Sequence, residues 1–186
     1  ALGYLAGQLV QSTGNALLGA FAGDAAMTGV ENTYVGYSSG TTNSSGDRNV
    51  AAGGYALASN ADGARNVAVG HASLQSNIKG SYSVAIGYAA LNSQDPVAAS
   101  NMYNVAVGHS AGSSVSTGTS NTLIGGLAGD ALNTGFANVA VGYESLGSAT
   151  IANNNVAIGV DALATNVAAD RNVAIGSEAL EFMTSA

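Results

Sequence analysis

A short segment, Asn-Val-Ala-Val/Ile-Gly, recurs along nearly all of this chain of 186 residues. Its glycine stands at positions 3, 19, 36, 53, 70, 87, 108, 125, 142, 159 and 176, and apart from one spacing of 16 and one of 21 every spacing is 17 residues. A period of this length, held in one register, is typical of repeat architectures in which each unit buries its apolar side against the next unit.

The residues within the repeat predict strands and corners. Val and Val/Ile lie two residues apart, which is the spacing of one face of a β-strand, and no apolar period near 3.6 residues is present. The glycine that ends the segment, such as Gly70, predicts one tight corner, and a second glycine ten residues later, such as Gly80, predicts the return corner. The whole chain, 1–186, is therefore predicted to be a single all-β domain, a parallel β-solenoid or β-roll of about eleven coils with two short strands per coil.

A column of asparagines stands four residues before the glycine in almost every repeat. In stacked coils each amide can donate to the carbonyl oxygen of the next amide, which predicts a ladder, although the preference of Asn for turns explains the same column. The members of this predicted ladder are Asn15, Asn32, Asn49, Asn66, Asn104, Asn121, Asn138, Asn155 and Asn172.

A column of alanines lies between the two β-branched columns. The alternation predicts that Val and Ile face a Leu column across a narrow core and that Ala lies on the opposite face. A flat Ala stripe about 50 Å long lets another backbone approach closely, so it predicts the interface of a homo-oligomer. The predicted interface residues are Ala51, Ala68, Ala85, Ala106, Ala140, Ala157 and Ala174.

Composition narrows the function. Only 8% of residues are charged, and 4 Lys and Arg stand against 11 Asp and Glu, a poor match for nucleic acid or an anionic membrane surface. The absence of Cys excludes disulfide scaffolds and thiol enzymes. No apolar run is long enough to span a bilayer, and no phosphate-binding or calcium-repeat motif is present. The sequence therefore predicts neither catalytic residues nor a cofactor.

The repeat segments resemble the head repeats of trimeric autotransporter adhesins. The resemblance rests on residues 66–70, 83–87, 155–159 and 172–176 and extends over nearly the whole chain, although the period of 17 is longer than that of the usual head repeat. It implies a left-handed parallel β-roll, three chains side by side, and a function in adhesion. The longer repeat is also similar to repeats of phage tail fibres and virion appendages, and neither family has catalytic residues to carry over.

Two features are candidates for ligand or receptor binding. The first is a surface stripe that follows the repeat glycine, where stacked rings can dock sugar rings or apolar patches, or can simply pack on the neighbouring coil. Its members are Tyr37, His71, Tyr88, His109 and Tyr143. The second is an insertion of four residues within 92–103, including Asp95 and Pro96, which must bulge outward and is either a binding loop or a neutral insertion.

Two charged columns complete the candidates. Glu144, Asp161 and Glu178 stack about 5 Å apart in consecutive coils, which predicts a solvated acidic edge or a weak divalent metal site. The column just before the strand holds Glu31, Arg48, Arg65, Tyr82 and Tyr103, and Glu31 beside Arg48 predicts an exposed ion pair that aids solubility.

Together these features predict a non-enzymatic structural or adhesive segment of an extracellular trimeric fibre at a cell or virion surface. Its expected partners are copies of itself and a host or cell-surface receptor, such as a glycan or a matrix protein, with no nucleic acid and no membrane insertion. A phage tail-fibre shaft and a subunit of a self-assembling extracellular filament are the alternatives. Because both ends fall within a repeat, we expect this chain to be a fragment of a longer fibre protein.

Overall fold

The computed structural model describes residues 1–165, 167–168 and 170–182 and is all-β, with twelve strands and no helix among these residues. Ten strands are the central three residues of the repeated segment, and two shorter strands flank the insertion. The strands are β1 Ala16–Leu18, β2 Thr33–Val35, β3 Val50–Ala52, β4 Val67–Val69, β5 Gly80–Ser81, β6 Val84–Ile86, β7 Ser100–Asn101, β8 Val105–Val107, β9 Thr122–Ile124, β10 Val139–Val141, β11 Val156–Ile158 and β12 Val173–Ile175.

The ten repeat strands form one parallel sheet in which each strand pairs with the same strand of the next coil, in the order β1-β2-β3-β4-β6-β8-β9-β10-β11-β12. The register follows the repeat, so that Val139 pairs with Val156 and Ala140 with Ala157. A bridge between Leu2 and Leu18 extends the stack to the first repeat. The predicted parallel β-solenoid with about 17 residues per coil is confirmed.

The second strand predicted for every coil is formed, among the described residues, only where β5 pairs with β7 beside the insertion. Elsewhere the return side of the coil is a series of turns that bond from coil to coil, as where the Gly40 N–H donates to the Ala56 carbonyl at 3.0 Å. Two strands per coil is therefore wrong for most coils. The physical reason is that residues such as Leu57, with φ of 50°, occupy the left-handed region, which an extended strand excludes.

The corner glycine is required by the close approach of the next coil. At Gly70, φ is 127°, and a Cβ atom placed there would lie 2.4 Å from the carbonyl oxygen of Gly87. No side chain can be accommodated at that distance from a backbone atom, which accounts for the regularity of this glycine along the chain.

The strands turn their alanines inward, opposite to the predicted orientation. Ala51, Ala68, Ala85, Ala106, Ala140, Ala157 and Ala174 are all buried in the core of the coil. Their β-branched neighbours point outward, and Val69 and Ile86 are 37% and 40% exposed. The prediction that the Ala column forms an interface between chains is therefore wrong. The coil is too thin to hold Val or Ile opposite the buried Leu column, whereas Ala opposite Leu fills it.

Size exchange between the two inward columns keeps the core width constant. Tyr34 takes the place of the strand alanine in β2, and the residue opposite it is Gly40, where a Cβ atom would lie 2.3 Å from the Tyr34 ring. Leu123 in β9 similarly packs where Cβ atoms at Gly112 and Gly129 would lie 2.6 and 2.8 Å from its side chain. A large residue on the strand is thus matched by glycine, whereas most strand alanines have leucine opposite, and Gly112 opposite Ala106 makes room for Leu123 of the next coil.

We predict that Tyr34→Ala and Gly40→Leu compensate each other. Tyr34→Ala alone leaves a cavity and should cost about 3–5 kcal/mol of unfolding free energy, and Gly40→Leu alone overfills the core. The double variant restores the Ala–Leu pairing of other coils and should lose at least about 1 kcal/mol less than the sum of the two. Urea unfolding of the four proteins measures this, and additive losses would contradict the size-exchange account.

The asparagine ladder is built mainly from contacts between side chain and backbone. Asn32 Oδ1 accepts the backbone N–H of Asn49 at 2.9 Å, and Asn32 Nδ2 donates to the Gly46 carbonyl at 2.9 Å. The predicted amide-to-amide bonds occur in the C-terminal coils, where Asn138 Nδ2 donates to Asn121 Oδ1 at 3.0 Å. The backbone acceptor contact recurs at Asn15, Asn49, Asn66, Asn104, Asn121, Asn138 and Asn155, and Asn172 donates to Asn155.

A second buried amide ladder, which the sequence reasoning missed, runs through Asn43, Asn60, Asn77 and Gln94. Asn60 Nδ2 donates to Asn43 Oδ1 at 2.9 Å, and the two following contacts are 3.0 and 3.1 Å. Gln94 Oε1 also accepts from Asn104 at 3.0 Å, and so joins the two ladders next to the coil in which Ser83 replaces the usual asparagine. The repeat spacing of 17 residues between these four amides was the signal available in the sequence.

We predict that Asn121→Ala destabilises the fold by about 3 kcal/mol, because buried polar groups lose their partners. Asn121 Oδ1 accepts both the backbone N–H and the side-chain amide of Asn138, and Asn121 Nδ2 donates to the Gly135 carbonyl. Thermal unfolding compares this variant with Ser114→Ala, an exposed control on the return side of the neighbouring coil. Equal melting temperatures for the two variants would show that the ladder contributes little.

Candidate functional site

The outward face of the ten-stranded sheet is uncharged along its entire length and, apart from Thr33 and Thr122, apolar. On every repeat strand the first and third residues point outward, and none of these positions carries a charged side chain. Ten strands at the usual spacing make a stripe about 43 Å long. The third residue of each strand is more than one-third exposed in most coils, as at Val35, Ile124 and Ile158. A contiguous apolar surface of this kind usually marks an interaction site.

A second surface is a continuous series of seven rings at the corner after the repeat glycine, which we call the ring ladder. Neighbouring ring centroids are 5.3 to 5.7 Å apart. Its members are Tyr4, Phe21, Tyr37, Tyr55, His71, Tyr88 and His109. The structure therefore brings together four of the five predicted stripe residues.

Three rings of the ladder, Tyr4, Phe21 and Tyr55, were not predicted from the sequence, and the predicted ring of Tyr143 lies outside the ladder. Phe21 and Tyr55 stand one position later in their repeats than the predicted column does, and Tyr4 lies in the first repeat. Tyr143 is separated from His109 by the coil that contains Gly126, where a Cβ atom would lie 3.5 Å from the Tyr143 ring. The rings are therefore neighbours in space although they do not all occupy the same position of the repeat.

The ring geometry changes along the ladder. The first four contacts are edge to face, with interplanar angles between 73° and 87°. The last two contacts are stacked at 9°, so that Tyr88 lies between His71 and His109. Stacking turns the ring faces toward each other and leaves mainly ring edges for a ligand. This geometry favours packing between coils as the role of the stacked rings.

The acidic column borders a cleft in the C-terminal coils. The cleft has a volume of about 460 Å³ and is lined by Asp130, Glu144, Gly147, Ser148, Asp161, Ala164, Thr165 and Glu181. Burial raises the pKa of the Asp130 carboxyl, and the nearby Glu144 carboxylate shifts it in the same direction. Hydrogen bonding to Glu144 raises the pKa of the Tyr143 hydroxyl as well.

The predicted metal candidates do not assemble into a metal site. Within the described ranges no group of three or more His, Cys, Asp or Glu side chains is placed to hold a metal ion. Glu144 and Asp161 line the acidic cleft, whereas Glu178 is not among its lining residues. Two of the three predicted carboxylates thus share one cleft, and the solvated acidic edge, the alternative to a metal site, stays a prediction.

A third surface follows the corner just before each strand, where every described repeat position has a positive φ. The predicted ion pair is confirmed here, because Arg48 Nε lies 2.8 Å from Glu31 Oε2. In the next coils, the Arg65 guanidinium lies 5.2 Å from the centroid of the Tyr82 ring, and Arg65 Nη1 donates to Tyr82 Oη at 2.8 Å. The Tyr82 and Tyr103 rings are 5.4 Å apart and tilted by 31°.

The insertion lies beside this surface. Its first part enters the core through Gln94, and Pro96 is also buried, whereas Asp95 is exposed. Val97 stands at the tip with 89% of its surface exposed. Of the two predicted ligand residues in the loop, the structure therefore presents Asp95 to solvent and not Pro96.

No described helix is long and apolar enough to cross a membrane. Comparison with protein-family models, with curated protein sequences and with solved structures found no match for this chain.

Proposed function

We propose that this chain is a rod-like segment of an extracellular fibre, in which copies associate side by side and which serves as a non-enzymatic spacer or adhesive region. The observation that carries the proposal is the uncharged apolar stripe on the outward face of the ten-stranded sheet. A fibre segment needs a surface that joins chains along their whole length, and this stripe has that extent.

A second copy of the same chain is the occupant that best matches the stripe. Its outward rows repeat at the same strand spacing, so Val and Ile of one copy can lie between those of another along the full length. The stripe carries no charge that would need a partner of opposite sign. Three copies with their stripes turned toward a common axis would bury all three, and the resemblance to trimeric adhesin heads favours that number.

The surfaces away from the stripe support an exposed, extracellular role. The ring ladder, the acidic cleft and the insertion lie on or beside other parts of the coil and remain available for contact when the stripe is covered. A cell-surface adhesin and a phage or virion appendage are the settings that such a segment fits. Attachment to a receptor would then use the outer surfaces, while the stripe holds the fibre together.

We predict that Val69→Glu combined with Ile86→Glu dissociates the oligomer. Both side chains are partly exposed in the single chain, so the coil should keep its fold while two carboxylates per chain would be buried in the interface at high cost. Sedimentation velocity should show a trimer for the unaltered protein and a monomer for the double variant, with the same circular dichroism spectrum.

The control is Val97→Glu, which adds the same charge at the exposed tip of the insertion and should leave the trimer intact. An unaltered protein that sediments as a folded monomer would overturn the side-by-side assembly.

A further inference from the structure

Four exposed side chains beside the insertion form a patch, here called the Arg–Tyr platform, that consists of Arg65, Tyr82, Asn101 and Tyr103. Arg65 lies over the Tyr82 ring and donates to its hydroxyl, and Tyr82 is 5.4 Å from Tyr103 between centroids. Asn101 Nδ2 donates to Tyr103 Oη at 3.1 Å. The platform therefore joins two aromatic rings, one cation and one amide in a connected arrangement.

The backbone holds the platform in place. Arg65, Tyr82 and Tyr103 have φ angles of 59°, 62° and 52° at equivalent corners of successive coils. The Arg65 and Tyr82 N–H groups donate along the axis to the coil before, at 2.9 and 3.0 Å. Asn101 is fixed by the pairing of β7 with β5. Left-handed corners persist only where the surroundings hold them, so these side chains start from rigid positions.

Arg65 is a cation without a carboxylate partner in the described part of the chain, where the ion pair found joins Arg48 to Glu31. The acids in the neighbouring coils are used elsewhere. Asp47 Oδ1 accepts the Val30 N–H at 2.9 Å, and Asp62 Oδ1 accepts the Ser45 hydroxyl at 2.9 Å. The net charge of the whole chain is −7, so general attraction cannot hold an anion here. Any anion at this place must be held by local contacts.

We propose that the Arg–Tyr platform binds a carboxylated sugar, either a terminal sialic acid or a uronic acid within a polysaccharide. Tyr82 is covered by Arg65 and Tyr103, so the ring face for the apolar C–H face of a sugar is that of Tyr103, which is 54% exposed. The planar guanidinium of Arg65 can bind a carboxylate through two hydrogen bonds. The Asn101 amide and the two tyrosine hydroxyls offer partners for the sugar hydroxyls. A neutral sugar would leave the cation unused, which is why the acidic class is favoured.

The insertion gives this site its location. Within the described residues the spacing between repeat strands is longest here, and residues 97–99 of the insertion are exposed shortly before Asn101 and Tyr103 in the chain. This inference deepens the proposed function, since it names the ligand class of an adhesive segment.

The test is isothermal titration of the full chain with four sugars in two matched pairs. Sialyllactose is compared with lactose, and tetragalacturonate with its fully methyl-esterified form, which keeps the rings and removes the charge. We expect binding to the acidic member of one pair and not to its neutral partner, and the pair that binds identifies the source of the carboxylate. Absence of binding to both acidic sugars would overturn the proposal.

Arg65→Gln should weaken the binding about tenfold or more, since a charge-assisted hydrogen bond is lost. Tyr103→Ala should weaken it as well, through the loss of the ring. The matched control is Arg171→Gln, which removes the same charge from the same corner of a distant coil, with φ of 61°, and among the described residues the cation–ring contact found is that of Arg65. Equal weakening by Arg171→Gln, or unchanged binding by Arg65→Gln, would show that the platform is not the site.

Sedimentation of the same samples separates this inference from the proposed assembly. If Val69→Glu with Ile86→Glu yields a monomer that still binds the acidic sugar, both proposals hold. If the unaltered protein is a monomer that binds the sugar, only the proposal of side-by-side assembly is overturned. If it is a trimer that binds neither acidic sugar, only the proposal of sugar binding at the Arg–Tyr platform is overturned.

Discussion

The fold depends on hydrogen bonds that run from each coil to the next at a fixed offset of one repeat. Strand pairing, the turn-to-turn bonds of the return side and the asparagine contacts all follow this offset. As a result, equivalent positions of adjacent coils lie next to each other, as the amides of Asn121 and Asn138 do. Stacked amides stabilise one another because each both donates and accepts a hydrogen bond, and neighbouring rings stabilise one another by ring contacts. Like charges at equivalent positions repel one another. The scarcity of charge and the recurrence of Asn are consequences of the offset.

The repeat period, the parallel stacking, the corner glycines and the Glu31–Arg48 pair could be predicted, because each depends on the period alone. The identity of the inward face could not be predicted in this way. The alternation along a strand indicates that Val and Ala lie on opposite faces, but it does not indicate which face is buried. That choice depends on core width, which becomes visible through the exchange of Tyr34 and Gly40. A rule that larger apolar residues go inside gave the wrong answer, because the coil is too thin for it.

The candidate surfaces were predicted to different degrees for similar reasons. The stripe residues Tyr37 and His71 were found by position, but Phe21 and Tyr55 were missed because a ring can reach the same place from the next position along the chain. Arg65, Tyr82 and Tyr103 were visible as one column, yet their contacts depend on side-chain directions at left-handed corners. Asn101 joins them through its hydrogen bond to Tyr103 at the end of the insertion, which the repeat pattern does not contain.

The direction of the coil-to-coil bonds also determines how such a rod would respond to tension. The bonds lie along the axis, whereas the covalent chain runs around it, so a force that pulls the two ends apart opens one coil at a time. When a coil opens, its contribution to the length of the rod would rise from about 4.8 Å to nearly 60 Å, the extended length of its 17 residues. The remaining coils would stay paired while this happens. A segment of this kind would yield in steps and absorb a sudden load that would break a rigid connection.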